Sequence, residues 1–163
     1  MPRYLYLLRH AQSADKQPGQ TDFQRELTAS GMQQALRVAG FFRDQKTFPD
    51  VIYSSPAERA KLTAEMIADA NQYDRTFINY LDELYEASTR TFFELVTRTD
   101  DHYSKVLFVG HNPAISYLAE YLTKEEIGEI VPAGMAIIQF NSGSWREISS
   151  GSGEFVQYVS YQI

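Results

Sequence analysis

Apolar residues fall into two kinds of run along this chain. Tyr4-Leu5-Tyr6-Leu7-Leu8 is unbroken and ends abruptly in Arg9-His10. Such a run is too short for a helix and has no polar face, which predicts a strand buried on both sides. Val106-Leu107-Phe108-Val109 is a second run of this kind, ending in Gly110-His111-Asn112-Pro113. Val51-Ile52-Tyr53 is a shorter one, and Thr76-Phe77-Ile78-Asn79 reads as a weak further strand. Elsewhere apolar positions recur at helical spacing. Met32, Ala35, Leu36, Ala39 and Phe42 predict an amphipathic helix from about Ser30 to Asp44, capped by Thr28 or Ser30. Ser55 as N-cap, Pro56 at the first helical position and Glu58 closing a capping box predict a helix to about Asp69, with Ala60, Ala64 and Ile67 facing inward. Ser88 caps a helix through about Thr97, with Phe92, Phe93 and Val96 apolar. Asn112-Pro113 repeats the Ser55-Pro56 device ahead of a helix with Ile115, Leu118, Ala119 and Leu122 on one face.

After Glu126 the pattern changes to short strand-like runs, Ala136–Phe140, Trp145–Ile148 and Phe155–Val159, split by Asn/Ser/Gly turns. Strands alternating with helices, then strands alone, predict an α/β fold. It is a three-layer sandwich with a mostly parallel central sheet plus antiparallel C-terminal edge strands, in a single domain over 1–163. The polar stretch from Ala14 to Glu26, with Pro18-Gly19, reads as a loop overhanging the Arg9-His10 pair.

Composition narrows the function classes. No segment has the run of apolar residues needed to span a bilayer, and the N-terminus lacks the apolar region of a signal peptide, so the default expectation is cytoplasmic. Having no cysteine removes a thiolate nucleophile or Cys-metal site. A net charge of -6 argues against nonspecific binding to nucleic acid or to an anionic membrane. An anion site would therefore need a few clustered cations and backbone amides.

The strand ends supply such a cluster. Each of three apolar strands runs into a basic side chain and then a turn or helix start, delivering Arg9 and His10, Arg59, and His111. In a parallel sheet these ends share one rim, where open α/β sheets bind ligands. Arg59 is also against the rule for its position, since the start of a helix favours negative charge. It suits that place if an anion joins it; otherwise it reaches a nearby carboxylate. Two arginines, a histidine and helix N-terminal amides suit a phosphoryl group. A neutral imidazole in such a pocket can attack phosphorus and form a phosphohistidine, while the cations stabilise charge on the equatorial oxygens. Glu83 and Glu86 are the candidate acids for the leaving group. His102, in the Asp100-Asp101 loop, reads as a solvated surface histidine, and Gln12 and Ser13 as loop residues.

Leu8-Arg9-His10, Ser54-Ser55-Pro56-Ala57-Glu58-Arg59-Ala60 and Val109-Gly110-His111-Asn112-Pro113 together resemble the histidine phosphatase (phosphoglycerate mutase-like) superfamily. The compact length and the segment from Leu27 to Ala35 resemble its SixA-like phosphohistidine phosphatase branch. The resemblance implies a phosphorylated nucleophile at His10, phosphate clamps at Arg9 and Arg59, and His111 as the fourth pocket residue; Asn112, next to it, is a further phosphate-binding candidate. It also implies no metal or other cofactor. Ala11 stands where the superfamily usually has glycine, a variation the SixA-like branch shares. Leu81-Asp82-Glu83 matches the segment that commonly carries the superfamily's acid, yet SixA-like members tend to lack that acid. The expected substrate is phosphohistidine on a partner protein, with the chain acting as a monomer. A small-molecule phosphomonoesterase and a non-catalytic phosphate-binding module remain the alternatives.

Overall fold

The computed structural model describes residues 1–162. Its centre is a six-stranded sheet in the order β3-β2-β4-β1-β5-β6. The strands are β1 (Arg3–Arg9), β2 (Val51–Ser54), β3 (Asn79–Tyr80), β4 (Lys105–Gly110), β5 (Met135–Phe140) and β6 (Glu154–Val159). β1, β2, β3 and β4 run parallel, while β5 pairs antiparallel with β1, and β6 with β5. The expected mixed sheet is therefore present.

The unbroken apolar run of β1 is explained by the layers on either side of it. Tyr6 and Leu8 pack with Ala35, Val38, Phe42 and Ile67, from α1 (Ala29–Asp44) and α2 (Glu58–Ala70). Leu5 and Leu7 pack on the opposite face with Leu95 and Leu118, from α3 (Thr89–Thr97) and α4 (Ala114–Thr123). Alternate side chains of one strand thus enter two separate cores, and neither face tolerates a polar residue.

The cap at Thr28 is real: its hydroxyl accepts from the Gly31 N–H at 2.9 Å. Ser88 caps α3 in the same way through Thr91. Four expectations need correction. Met32 and Leu36 lie outside the buried face of α1 and are 42% and 48% exposed, whereas Val38 and Phe41 face inward. α2 begins at Glu58 with Ala57 as N-cap, and α4 at Ala114. Ser55 and Asn112 thus stand outside the helices they were expected to cap, with their side chains committed elsewhere. The expected strand at 76–79 is mostly a 3-10 turn, Arg75–Phe77, because Asp74 accepts from the Thr76 N–H at 2.9 Å, leaving only Asn79–Tyr80 to pair. Trp145–Glu147 is likewise a 3-10 turn, not a strand. It is started by Ser144, and its indole is buried and donates to the Tyr103 carbonyl at 2.8 Å.

Candidate active site

β1 and β4 are neighbours in register, Arg9 opposite Gly110. From β1 the chain crosses by α1 to β2 on one side, and from β4 it crosses by α4 to β5 on the other. The two connections pass over each other's strands on opposite faces of the sheet, and in open α/β sheets ligands bind just outside the carboxyl ends of the parallel strands. His10 and His111 each follow one of these two strands, and their ring centroids lie 5.1 Å apart. The backbone holds them there: the His10 N–H donates to the Gly110 carbonyl at 3.1 Å, and the Ala133 N–H donates to the carbonyls of Arg9 and His10. Gly110 is required at its position, since a Cβ would lie 2.9 Å from the Phe92 ring.

His10 is 7% exposed, and its Nδ1 lies 2.8 Å from the Ala11 carbonyl oxygen. A carbonyl only accepts, so Nδ1 carries the proton and Nε2 keeps its lone pair. Burial, then the neighbouring His111, Arg59 and Arg9, push the His10 pKa down to about 3. His111 is pushed down to about 4 by burial, with Arg59 next. Both rings are therefore neutral near pH 7, which is the state a nitrogen nucleophile needs. The Nε2 of His111 meets the Ser55 hydroxyl at 2.7 Å, while its Nδ1 is buried without a partner. Ser55 Oγ also accepts from the Ala57 N–H at 3.2 Å.

The two arginines are held by different segments. Arg9 Nη1 donates to the Ile130 carbonyl at 3.0 Å and lies 3.9 Å from Glu129, and its Nε is buried and unpartnered. Arg59 is 7% exposed and faces Asp22, with Nη1 donating to the Asp22 backbone carbonyl at 2.8 Å and Nη2 to its carboxylate at 3.1 Å. An arginine at the start of a helix does find a carboxylate, but in a buried setting beside two histidines. Asp22 lies on a 3-10 turn (Asp22–Gln24) of the overhanging loop. It also receives the Tyr85 hydroxyl at 2.8 Å and Arg25 at 3.0 Å. The Tyr85 hydrogen bond, followed by those two cations, holds the Asp22 carboxyl far below the usual carboxylate range, so it is ionised.

Arg9, His10, Arg59 and His111 are thus brought together as the sequence suggested. Glu83 is exposed and pairs instead with Arg98, the C-cap of α3, at 3.5 Å, and Glu86 is exposed too, with no hydrogen bond or ion pair to the four among the described residues. Asn112 uses its amide structurally, donating to the Ile130 carbonyl at 2.8 Å and accepting from Ser116. His102 is exposed, as expected. Asp22, Tyr85 and the Ser55–His111 contact were not foreseen. Asp22 and Tyr85 lie in irregular segments without periodicity, and the cap-like pattern around Ser55 pointed to a different partner.

Comparison with known proteins identifies the family and the fold. The sequence profile of the histidine phosphatase superfamily (branch 1) matches residues 5–104. The chain belongs to that superfamily. An uncharacterized protein of Mycobacterium tuberculosis is 30% identical over 162 residues, covering 93% of this chain and 98% of that one. Among solved structures, a putative phosphohistidine phosphatase SixA from Agrobacterium tumefaciens superposes with a TM-score of 0.83 at 28% identity, covering 99% of both chains. A protein histidine phosphatase SixA complexed with tungstate shares the fold at a TM-score of 0.81, with 22% identity and 96% of both chains covered. Within the histidine phosphatase superfamily, the described part of this chain is thus α/β and phosphoglycerate mutase-like.

Proposed function

We propose that the protein is a phosphatase that removes a phosphoryl group from phosphohistidine on a partner protein through a phosphorylated His10. The observation that carries this reading is the state of the carboxyl groups. Asp22 is ionised by its three donors and Glu83 is paired with Arg98, so neither is poised to protonate a leaving alkoxide. Glu86, the other candidate acid, is exposed beside Tyr85, with no hydrogen bond or ion pair to the four pocket residues among those described. A phosphomonoester needs that proton, because an alkoxide leaves poorly without it. A phosphoramidate such as phosphohistidine does not, because its leaving nitrogen departs as neutral imidazole when the ring carries a proton.

In this reading the Ala11 carbonyl fixes the His10 proton on Nδ1 and leaves Nε2 free to attack phosphorus. Arg9, Arg59 and the Nδ1 of His111 surround the equatorial oxygens and stabilise the charge that spreads there in transfer. Water then cleaves the His10 phosphorus–nitrogen bond and releases inorganic phosphate. Incubating the protein with a peptide bearing phosphohistidine should release phosphate faster than incubation with sugar phosphates or nucleotides. Rapid acid-free quenching should trap phosphate on His10, and His10→Ala should abolish both turnover and trapping. Turnover that survives in His10→Ala would refute the nucleophile; failure on every phosphohistidine substrate, with turnover of phosphomonoesters, would instead favour a small-molecule phosphatase.

A further inference from the structure

Asp22 makes a mouth of unusual character for a phosphate pocket. It puts a fixed negative charge beside the arginine that would bind the phosphoryl dianion. Its Oδ2 takes Arg59 Nη2 and the Tyr85 hydroxyl, and its Oδ1 takes Arg25, which leaves an acceptor site free on Oδ1. The side chain is 50% exposed, so that acceptor site is open to solvent. Aromatic rings continue outward from the histidines. The Tyr85 ring meets His111 edge-on at 5.8 Å, and the Phe23 ring, 38% exposed, meets Tyr85 edge-on at 5.0 Å.

We propose that Asp22, together with the Tyr85 and Phe23 rings, forms the subsite for the leaving imidazole of a phosphohistidine, the carboxylate accepting a hydrogen bond from the ring nitrogen that does not carry phosphorus. This rests on the phosphohistidine reading above and adds to it the residue that selects the leaving group. The chemistry requires such an acceptor. In a phosphorylated imidazole the distal nitrogen must be protonated for the phosphorus–nitrogen bond to break easily. The electron pair of that bond then stays on the ring, which leaves as neutral imidazole with its distal proton in place. A new bond forms between His10 Nε2 and phosphorus, and the His10 ring keeps its Nδ1 proton on the Ala11 carbonyl. The exchange is thus between two imidazoles, each holding a proton on the nitrogen remote from phosphorus. Ala11 serves one ring and Asp22 serves the other. The cationic ring is also attracted to aromatic faces, whereas a leaving group bearing its own carboxylate or phosphate meets repulsion from Asp22.

The groups facing Asp22 are Arg25 from its own loop, Arg59 from α2 and the Tyr85 hydroxyl from the segment before α3. The Tyr85 hydroxyl is itself pushed up to about 12, chiefly by burial and then by Asp22, so it remains a donor throughout the working range.

The test compares kcat/KM for phosphoimidazole and for 4-nitrophenyl phosphate, whose leaving group needs no ring proton, in the wild type, Asp22→Asn, Asp22→Glu and Tyr85→Phe. Asp22→Asn should lower turnover of phosphoimidazole about tenfold to a hundredfold more than turnover of the aryl ester, the range of one lost hydrogen bond to a charged group. The alkaline limb of kcat for phosphoimidazole, which reports the bound ring, should move to lower pH. Asp22→Glu should recover part of the selectivity. Tyr85→Phe, which keeps the ring and loses the hydroxyl, should shift selectivity the same way by a smaller factor, and it carries the test if Asp22→Asn does not fold. Equal losses on both substrates would mean that Asp22 merely holds Arg59, and would overturn the proposal, as would no loss on either. A wild type that hydrolyses 4-nitrophenyl phosphate but never phosphoimidazole would remove the phosphohistidine reading itself.

Discussion

Ser55 illustrates how a single hydroxyl can direct an imidazole. At 2.7 Å from His111 Nε2, and already accepting the Ala57 N–H, it has its own proton to offer that nitrogen. The His111 proton would then sit on Nδ1, the buried and unpartnered atom available to a phosphoryl oxygen. Ser55→Ala should lower kcat about tenfold with little change in KM, as expected for one buried hydrogen bond worth roughly 1–1.5 kcal/mol. Ser55→Thr, which keeps the hydroxyl, should retain most of the activity. Steady-state kinetics on the two variants checks both statements, and equal loss in the two would point to packing instead. At this scale the sequence was legible wherever a charged residue ended an apolar run, because burial of the strand forces the next side chain to the rim. Arg9, His10 and His111 were readable for that reason. Asp22 and Tyr85 were not, since loop residues carry no periodic signal and their partners are remote in sequence. Glu83 was misleading for the same reason: a local match to a pattern says nothing about Arg98, which turns its carboxylate away.

The first turn of α1 is the element that braces the nucleophile segment. The Gln12 carbonyl accepts the Thr28 N–H at 3.1 Å, and the Gln12 N–H donates to the Gln34 side chain at 2.9 Å. Gly31 lets this contact close, because a Cβ there would lie 2.1 Å from the Gln12 carbonyl oxygen. Neither partner is a flexible side-chain end, so relief requires moving helix or strand end. Gly31→Ala should therefore destabilise the protein by about 1–3 kcal/mol in denaturant titration, despite the better helix propensity of alanine. It should also reduce phosphatase activity in the folded fraction by displacing the His10 backbone. An unchanged midpoint would mean that α1 tilts freely and does not brace the site. The limits of Thr28-capped α1 and Ser88-capped α3 were legible because caps are local hydrogen bonds. The phase of α1 was not: Met32 and Leu36 fit a helical stripe as well as Val38 does, and only contact with β1 and α2 decides which stripe is buried. Trp145 reads as a strand residue in the sequence because aromatic composition suits both a strand and a buried turn.

Taken as a whole molecule, the chain carries a net charge of -6 yet buries a cationic hollow in which both histidines stay neutral. That arrangement has a consequence for stability. His10 and His111 have folded-state pKa values of about 3 and about 4, below the ordinary value of 6.5 that the unfolded chain would show. Below pH 6.5 the unfolded state therefore binds more protons than the native state. Stability then rises with pH through that window, and the contribution is fully present above 6.5. As pH falls from 6.5 toward 4, the cost of keeping two unprotonated rings buried beside Arg9 and Arg59 grows. The depressed carboxyl of Asp22 adds a loss of the same sign at lower pH still. Urea titrations between pH 4.5 and 7 should show the midpoint falling on acidification, and a His10→Gln, His111→Gln double variant should have a shallower dependence. Parallel curves for the two proteins would mean that the rings protonate in the native state at ordinary pH. In that event Nε2 of His10 would take up a proton as pH falls through about 6.5, and turnover would be lost along that acid limb instead of persisting toward pH 4.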